Sequence, residues 1–323
     1  MRKLLQRLCG VLLLWGITCP AVLAQSYPTR NMELIVPYGP GGSTDIVARL
    51  FAQKLQERLG QAFIVLNRPG AAGTVGLQAA MRAVPDGYTL LNSYTAEAVI
   101  VPHMLTTARY SVVDDFEPIV VTGVVPVALM VSKNVKASNL KDFIEEMRAN
   151  PGKYSYAGGG GSPPHVMGAW MNKLKGLNVM HVPYRGGSQG INDVVGGHID
   201  MMYAGVAAGK GAIDSGGVRA LAVTGDKRSS ALPNVPTFKE AGVPEFDLAS
   251  WNVLLAPKGT PAPILSLLRK ETLDALKDPA FREALSRLGV ELSERQDVRA
   301  FLNGESVKFG RVVLELGITM GQQ

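Results

Sequence analysis

From Met32 onward, short β-rich runs alternate with helical patterns, and glycine-rich loops join them. This alternation limits the chain to βα units around mostly parallel sheets. The run Met32–Tyr38 reads as the first strand. After Gly39-Pro40-Gly41-Gly42-Ser43-Thr44, apolar residues at Ile46, Val47, Leu50, Phe51, Leu55 and Leu59 follow a helical period that Gly60 ends. Two further strands, Ala62–Leu66 and Tyr88–Asn92, flank a helix over Gly76–Val84. A second series begins near Val124, with strands at Val127–Val131, Tyr154–Ala157, Val179–Tyr184, Ile199–Tyr203 and Val218–Thr224. Helices are expected at Leu140–Ala149, His165–Lys175 and Gly190–Gly196. Trp251–Ala256 reads as a strand leading back, and Pro263–Leu316 as mainly helical.

Two such series predict an α/β protein of two lobes with a cleft between them. The expected division is 25–122 with 253–323 for the first lobe and 123–252 for the second, with hinges near Thr122–Val125 and Ser250–Val253. Open α/β sheets bind ligands beyond the carboxyl ends of their strands, so function is expected in the loops there.

The first 24 residues read as a cleavable secretory signal: Arg2, Lys3 and Arg7, an apolar run Leu8–Ile17, then Val22-Leu23-Ala24. Its loss removes three basic residues and lowers the formal charge from +6 to +3, which takes away the case for nucleic acid. Both cysteines, Cys9 and Cys19, fall in this segment, so the mature chain is expected to hold no disulfide and no thiolate nucleophile. Cys19 follows Gly16-Ile17-Thr18, a poor context for lipid attachment. No later apolar run reaches the ~20 residues of a membrane span. The expected location is the periplasm.

Three loops carry the chemistry. The first, Pro37–Asp45, sets backbone amides at a helix start, an arrangement that suits an anion; a plain βα turn capped by Ser43 or Thr44 is the competing reading. It matches neither Walker A, having no lysine, nor G-x-G-x-x-G, so no cofactor is expected. The second, Gly158–His165, places Ser162 and two prolines at another helix start, with His165 as ligand donor or structural group. The third, Tyr184–Gly190, contains Gly186-Gly187-Ser188-Gln189-Gly190, which matches the G-x-S-x-G nucleophile elbow. A secreted α/β hydrolase using Ser188 is therefore the alternative. It lacks support downstream, where Asp193 and His198 sit within one short helix and its end. The four histidines, at 103, 165, 181 and 198, have no metal-ligand spacing.

The chain resembles the periplasmic solute receptors of tripartite tricarboxylate transporters, the Bug receptors. The resemblance rests on Tyr27-Pro28, Val36–Asp45, Asn67–Gly73, Pro85–Leu90, Gly161–His165, Val182–Gly186, Gly196–Asp200, Leu232–Thr237 and Ala256–Pro261, in that order along the chain. It implies a two-lobed Venus flytrap that binds a small organic acid or amino acid, acts with membrane transporter subunits or a sensor protein, and catalyses nothing. By position, Tyr38, Gly41, Gly42, Ser43 and Asp45 form one pincer, with Asp45 orienting the loop or a water. Gly161, Ser162 and His165 lie on a second-lobe loop, and Tyr184, Arg185 and Gly186 form the opposing pincer. Ser93–Pro102 departs from the family's polar loop; it is expected to face the far end of the ligand, with Tyr94, Thr95 and Glu97 setting specificity. Glu97 there either points into the cleft or is a solvated helix-start carboxylate.

Overall fold

A computed structural model describes residues 27–105, 108–293 and 297–320. The expected signal segment and both cysteines lie outside the described residues. Two five-stranded sheets are formed, ordered β2-β1-β3-β10-β4 and β7-β6-β8-β5-β9. The first contains β1 (Met32–Val36), β2 (Phe63–Asn67), β3 (Thr89–Tyr94), β4 (Phe116–Val125) and β10 (Ser250–Pro257); the second contains β5 (Val127–Val131), β6 (Ser155–Gly158), β7 (Met180–Pro183), β8 (Met201–Gly205) and β9 (Arg219–Val223). In each sheet four strands run in one direction and a fifth, β10 in the first and β5 in the second, pairs antiparallel on both its sides. This is the two-lobed α/β architecture expected from the sequence.

The helices are α1 (Ser43–Leu59), α2 (Thr74–Met81), α3 (Val101–Met104), α4 (Val112–Asp115), α5 (Leu140–Ala149), α6 (Pro163–Lys175), α7 (Gly187–Gly196), α8 (Val206–Asp214), α9 (Ala262–Ala275), α10 (Pro279–Arg287) and α11 (Val298–Leu316). Parallel strands buried on both faces need apolar residues at nearly every position, and β1 supplies them. Met32, Leu34 and Val36 join the α1 residues Val47, Phe51 and Leu55 in one core, while Ile35 points into the other. That second core runs through both lobes and includes Leu302 and Phe309 of α11. Helix α11 thus bridges the lobes, and Lys173 of α6 donates to the Glu315 carbonyl at its end.

The chain leaves the first sheet at Val125, passes Pro126 and enters the second at Val127. Residues 123–125 and 250–252, counted with the second lobe in the expected division, pair with one another within the first sheet. Three local features differ from or add to the elements read from the sequence. Phe116–Val125 is a strand that begins well before the second series was expected to start. Val206–Asp214 is a helix that its own sequence conceals, because Gly209 and Gly211 weaken the helical signal. Gly209 leaves room for the Met130 side chain, whose Cε would stand 1.8 Å from a Cβ there. Ser93–Pro102, expected as a loop facing the far end of the ligand, is largely helical: Ala96–Ile100 forms a π-helical turn that continues into α3, and Ala98, Val99 and Ile100 enter the core.

Candidate functional site

The loops that follow β1, β6, β7 and β8 each lead into a helix whose start has no side-chain cap. The N-cap residues are Gly42 for α1, Ser162 for α6, Gly186 for α7 and Gly205 for α8. Of the other helices, α4, α5, α10 and α11 are capped by Ser111, Asn139, Asp278 and Asp297, which accept from backbone amides in the first turn, whereas α2, α3 and α9 also start without a side-chain cap. Neither Ser43 nor Thr44 caps α1, and Ser162 Oγ donates to the Gly159 carbonyl at 2.6 Å instead of accepting from the helix. An uncapped start leaves the positive end of the helix dipole and its first amides available to an anion.

Tertiary structure brings these starts from the two lobes together. A Cβ on Gly41 would lie 3.4 Å from Ser188 Oγ, so the first pincer faces the start of α7. A Cβ on Gly205 would lie 2.3 Å from Ser43 Oγ, and one on Gly161 3.5 Å from Ala72 Cβ and 2.6 Å from Met320 Sδ. Gly41, Ser43 and Gly161 therefore stand where the two lobes touch, and Tyr38 and Gly42 belong to the same first loop as Gly41 and Ser43. Arg185 is exposed and Gly186 is half-buried beside it. The Tyr184 hydroxyl turns back to its own lobe and donates to the Asp193 carboxylate.

The first pincer is held from behind by Asp45, which is 2% exposed. Its Oδ2 accepts from the Gly41 amide at 3.0 Å and from Arg49 Nε at 3.0 Å, and its Oδ1 accepts from Asn67 Nδ2 at 2.9 Å. Burial pushes this carboxyl up, but the hydrogen bonds from Arg49, Asn67 and Gly41 outweigh it and hold the group below its ordinary value. Asn67 also donates to the Tyr38 carbonyl at 2.8 Å. Asn67, in the Asn-Arg-Pro-Gly run, thus ties β2 to the pincer, a role that its sequence context alone does not reveal.

Behind Tyr38 lies Glu97, fully buried. It is neither in the cleft nor solvated, since its carboxylate accepts from the Tyr38 hydroxyl at 2.7 Å, the Ser93 hydroxyl at 2.9 Å and the Tyr94 amide at 2.6 Å. Burial raises its pKa to about 7 against these donors. The same burial, with Glu97 alongside, pushes the Tyr38 phenol well above its ordinary value. Thr95 is fully buried too; its hydroxyl donates to the Trp251 carbonyl and accepts from the Trp251 amide, so it locks β3 to β10. Tyr94 packs edge-on against Tyr38, ring centroids 5.5 Å apart, and donates to Ser250 Oγ at 2.9 Å.

On the second lobe, His165 stacks on His181 at 4.1 Å, and its Nδ1 accepts from the Gly161 amide at 3.3 Å. Burial first, then the neighbouring His181, lowers its pKa to about 4, so the ring is a neutral acceptor that shapes the Gly161 turn. Asp193 and His198 are not set as a relay for Ser188. Ser188 opens α7, whereas His198 follows its far end, about 15 Å along at 1.5 Å per residue. The Asp193 carboxylate between them accepts from Tyr184.

Residues 47–318 match the family model described as the tripartite tricarboxylate transporter family receptor. The chain is 35% identical over 306 residues to Protein BugT of Bordetella pertussis, covering 94% of each. Among solved structures, Rpa4515 of Rhodopseudomonas palustris with adipate shares 31% identity and a TM-score of 0.86, with 91% of this chain and 99% of that one covered. MatC of the same organism, with bound malate, shares 28% and 0.83, covering 89% and 100%. With its two lobes, its paired pincers and these matches, the chain belongs to the tripartite tricarboxylate transporter receptor family.

Proposed function

We propose that this receptor captures a small carboxylate, an organic acid or an amino acid, in the cleft and delivers it to the membrane subunits of a tripartite tricarboxylate transporter. One observation carries the reading: uncapped helix starts from both lobes meet across the cleft at Gly41 and Ser188 and at Ser43 and Gly205. Amides converging from two rigid bodies suit a carboxylate better than any single turn does, and lobe closure strengthens each interaction by excluding water. Tyr38, Gly41, Gly42 and Ser43 form one side of the grip, and Tyr184, Arg185 and Gly186 the other, with Gly161, Ser162 and His165 closing the end. Tyr94 backs Tyr38, while Asp45 and Thr95 act on the grip through the loop and strand they hold. The binding of adipate and of malate by two relatives supports this ligand class. The protein performs no chemistry on its ligand, and it works in the periplasm after loss of residues 1–24.

Mass spectrometry of ligand released from freshly purified protein, followed by calorimetry of the stripped protein against mono- and dicarboxylates and amino acids, tests the reading. Micromolar or tighter binding of at least one acid is expected. Failure of every acid would overturn it.

A further inference from the structure

Asn252 is fully buried, and neither its Nδ2 nor its Oδ1 has a hydrogen-bond partner among the described residues. Native proteins pair nearly all such groups, and an amide offers two donors and an acceptor to be paired. The position of this one is set by strand register. Asn252 lies opposite Tyr94 of β3 and opposite Gly123 of β4. Residues directly opposite in a ladder share a face, as do residues two apart along a strand. Asn252 therefore shares its face with Tyr94, Leu254 and Asn92, the last standing opposite Leu254.

That face carries α1. Leu254 and Leu90 pack in one core with Val47 and Phe51, and Asn92 Nδ2 donates to the Thr44 carbonyl, in the first turn of α1, at 3.2 Å. A step from Leu254 to Asn252 leads past the start of α1, to the cleft end of the sheet beneath the first pincer. Tyr94, the cross-strand neighbour, is the residue that packs on Tyr38. On the other side Gly123 has no side chain, and Val290 fills its place, with Cγ1 2.4 Å from where a Cβ would stand. Asn92 shows the contrast on this same face, for it also accepts from Thr122 Oγ1 at 3.3 Å and is satisfied as donor and acceptor.

We propose that Asn252 is a specificity-determining residue at the floor of the cleft, whose amide hydrogen-bonds a hydroxyl carried by the bound carboxylate. Nδ2 donates to the hydroxyl oxygen and Oδ1 accepts its hydrogen, a pairing that an unsubstituted chain of methylenes does not offer. The proposal rests on the reading of the cleft as a carboxylate site. A site built to pair a hydroxyl discriminates against the ligand that lacks it, because the buried amide is then left unmatched in the closed complex.

The test uses two pairs of acids that differ by one hydroxyl, malate with succinate and citrate with tricarballylate, titrated calorimetrically into the stripped mature chain. Wild type is expected to prefer the hydroxylated member of at least one pair by about tenfold or more. Asn252→Leu, close in volume, is expected to bring that ratio to about one by losing affinity for the hydroxy acid, while the thermal midpoint of the ligand-free protein is unchanged or raised. Asn252→Ala repeats the measurement should the leucine variant fold poorly. A ratio that survives both substitutions, or equal binding of the paired acids by wild type, overturns the proposal and leaves the receptor reading standing. Absence of binding by any carboxylate overturns both.

Discussion

Tyr38 donates its phenolic hydrogen to Glu97 Oε2 at 2.7 Å, which joins the first pincer to a carboxylate sealed from water. Across the cleft His165, another shielded titratable group, supports the Gly161 turn. Each lobe thus braces its ligand loop with a group whose protonation the fold has shifted, and the shifts run in opposite senses.

These shifts predict opposing pH dependences. Glu97 is raised from 4.5 to about 7, so the folded state holds its proton more tightly, and stability is lost as pH rises through that window. His165 is lowered from 6.5 to about 4, so stability is lost as pH falls through that window. The two contributions offset one another in wild type between about pH 4 and 7 and separate in variants. Thermal midpoints measured from pH 4 to 8 should fall on the acid side more steeply for Glu97→Gln than for wild type. For His165→Phe the fall should steepen on the alkaline side. Parallel curves for all three proteins would contradict the assignment.

Asp45 and Arg49 are joined by an ion pair but are predicted to matter unequally. Asp45→Ala strands the Gly41 amide and removes one acceptor from Asn67, at a cost of about 2 kcal/mol in chemical denaturation, and it loosens the pincer enough to weaken ligand binding. The side chain of Arg49 is 52% exposed, so Arg49→Ala should cost less than about 1 kcal/mol and leave affinity nearly unchanged.

Gly205→Val should act as a wedge. Even a single Cβ there would stand 2.3 Å from Ser43 Oγ and 3.0 Å from Val125 Cγ1, between the lobes. If closure is disfavoured so that a tenth of the molecules remain competent, the apparent Kd rises about tenfold. Small-angle scattering should then show no contraction at ligand concentrations that compact wild type.

Gly161→Ala is predicted to fail for two reasons that can be separated. Its φ of +73° strains any residue with a Cβ, and that Cβ would meet Met320 Sδ at 2.6 Å. Adding Met320→Ala should recover only the steric part of the lost affinity, as read by calorimetry.

The alternation of strand and helix, the two βα series and the glycine-rich helix starts were legible in the chain, because each is written in local periodicity and turn chemistry. Helix α5 falls where its apolar spacing puts it, Leu140–Ala149, and Gly60 ends α1 in the left-handed conformation that only a residue without a Cβ adopts freely. The family resemblance places Asp45 in this loop and charge repulsion sets it to orient the loop or a water; its bond from the Gly41 amide shows the first of these. Direction was not legible. Glu97 and Thr95 carry polar side chains that suit a ligand loop, yet both turn into the protein, because the apolar residues around them must reach the core beside α11. Asn252 looked like any strand residue on a return path. Its place at the cleft end of the sheet depends on register against Tyr94 and Gly123, residues more than 120 positions away in the chain. Sequence by itself determined which glycine-rich loops open helices, and tertiary structure decided which of their side chains turn into the protein and which loops of the two lobes meet, because burial and register depend on residues far apart in the chain.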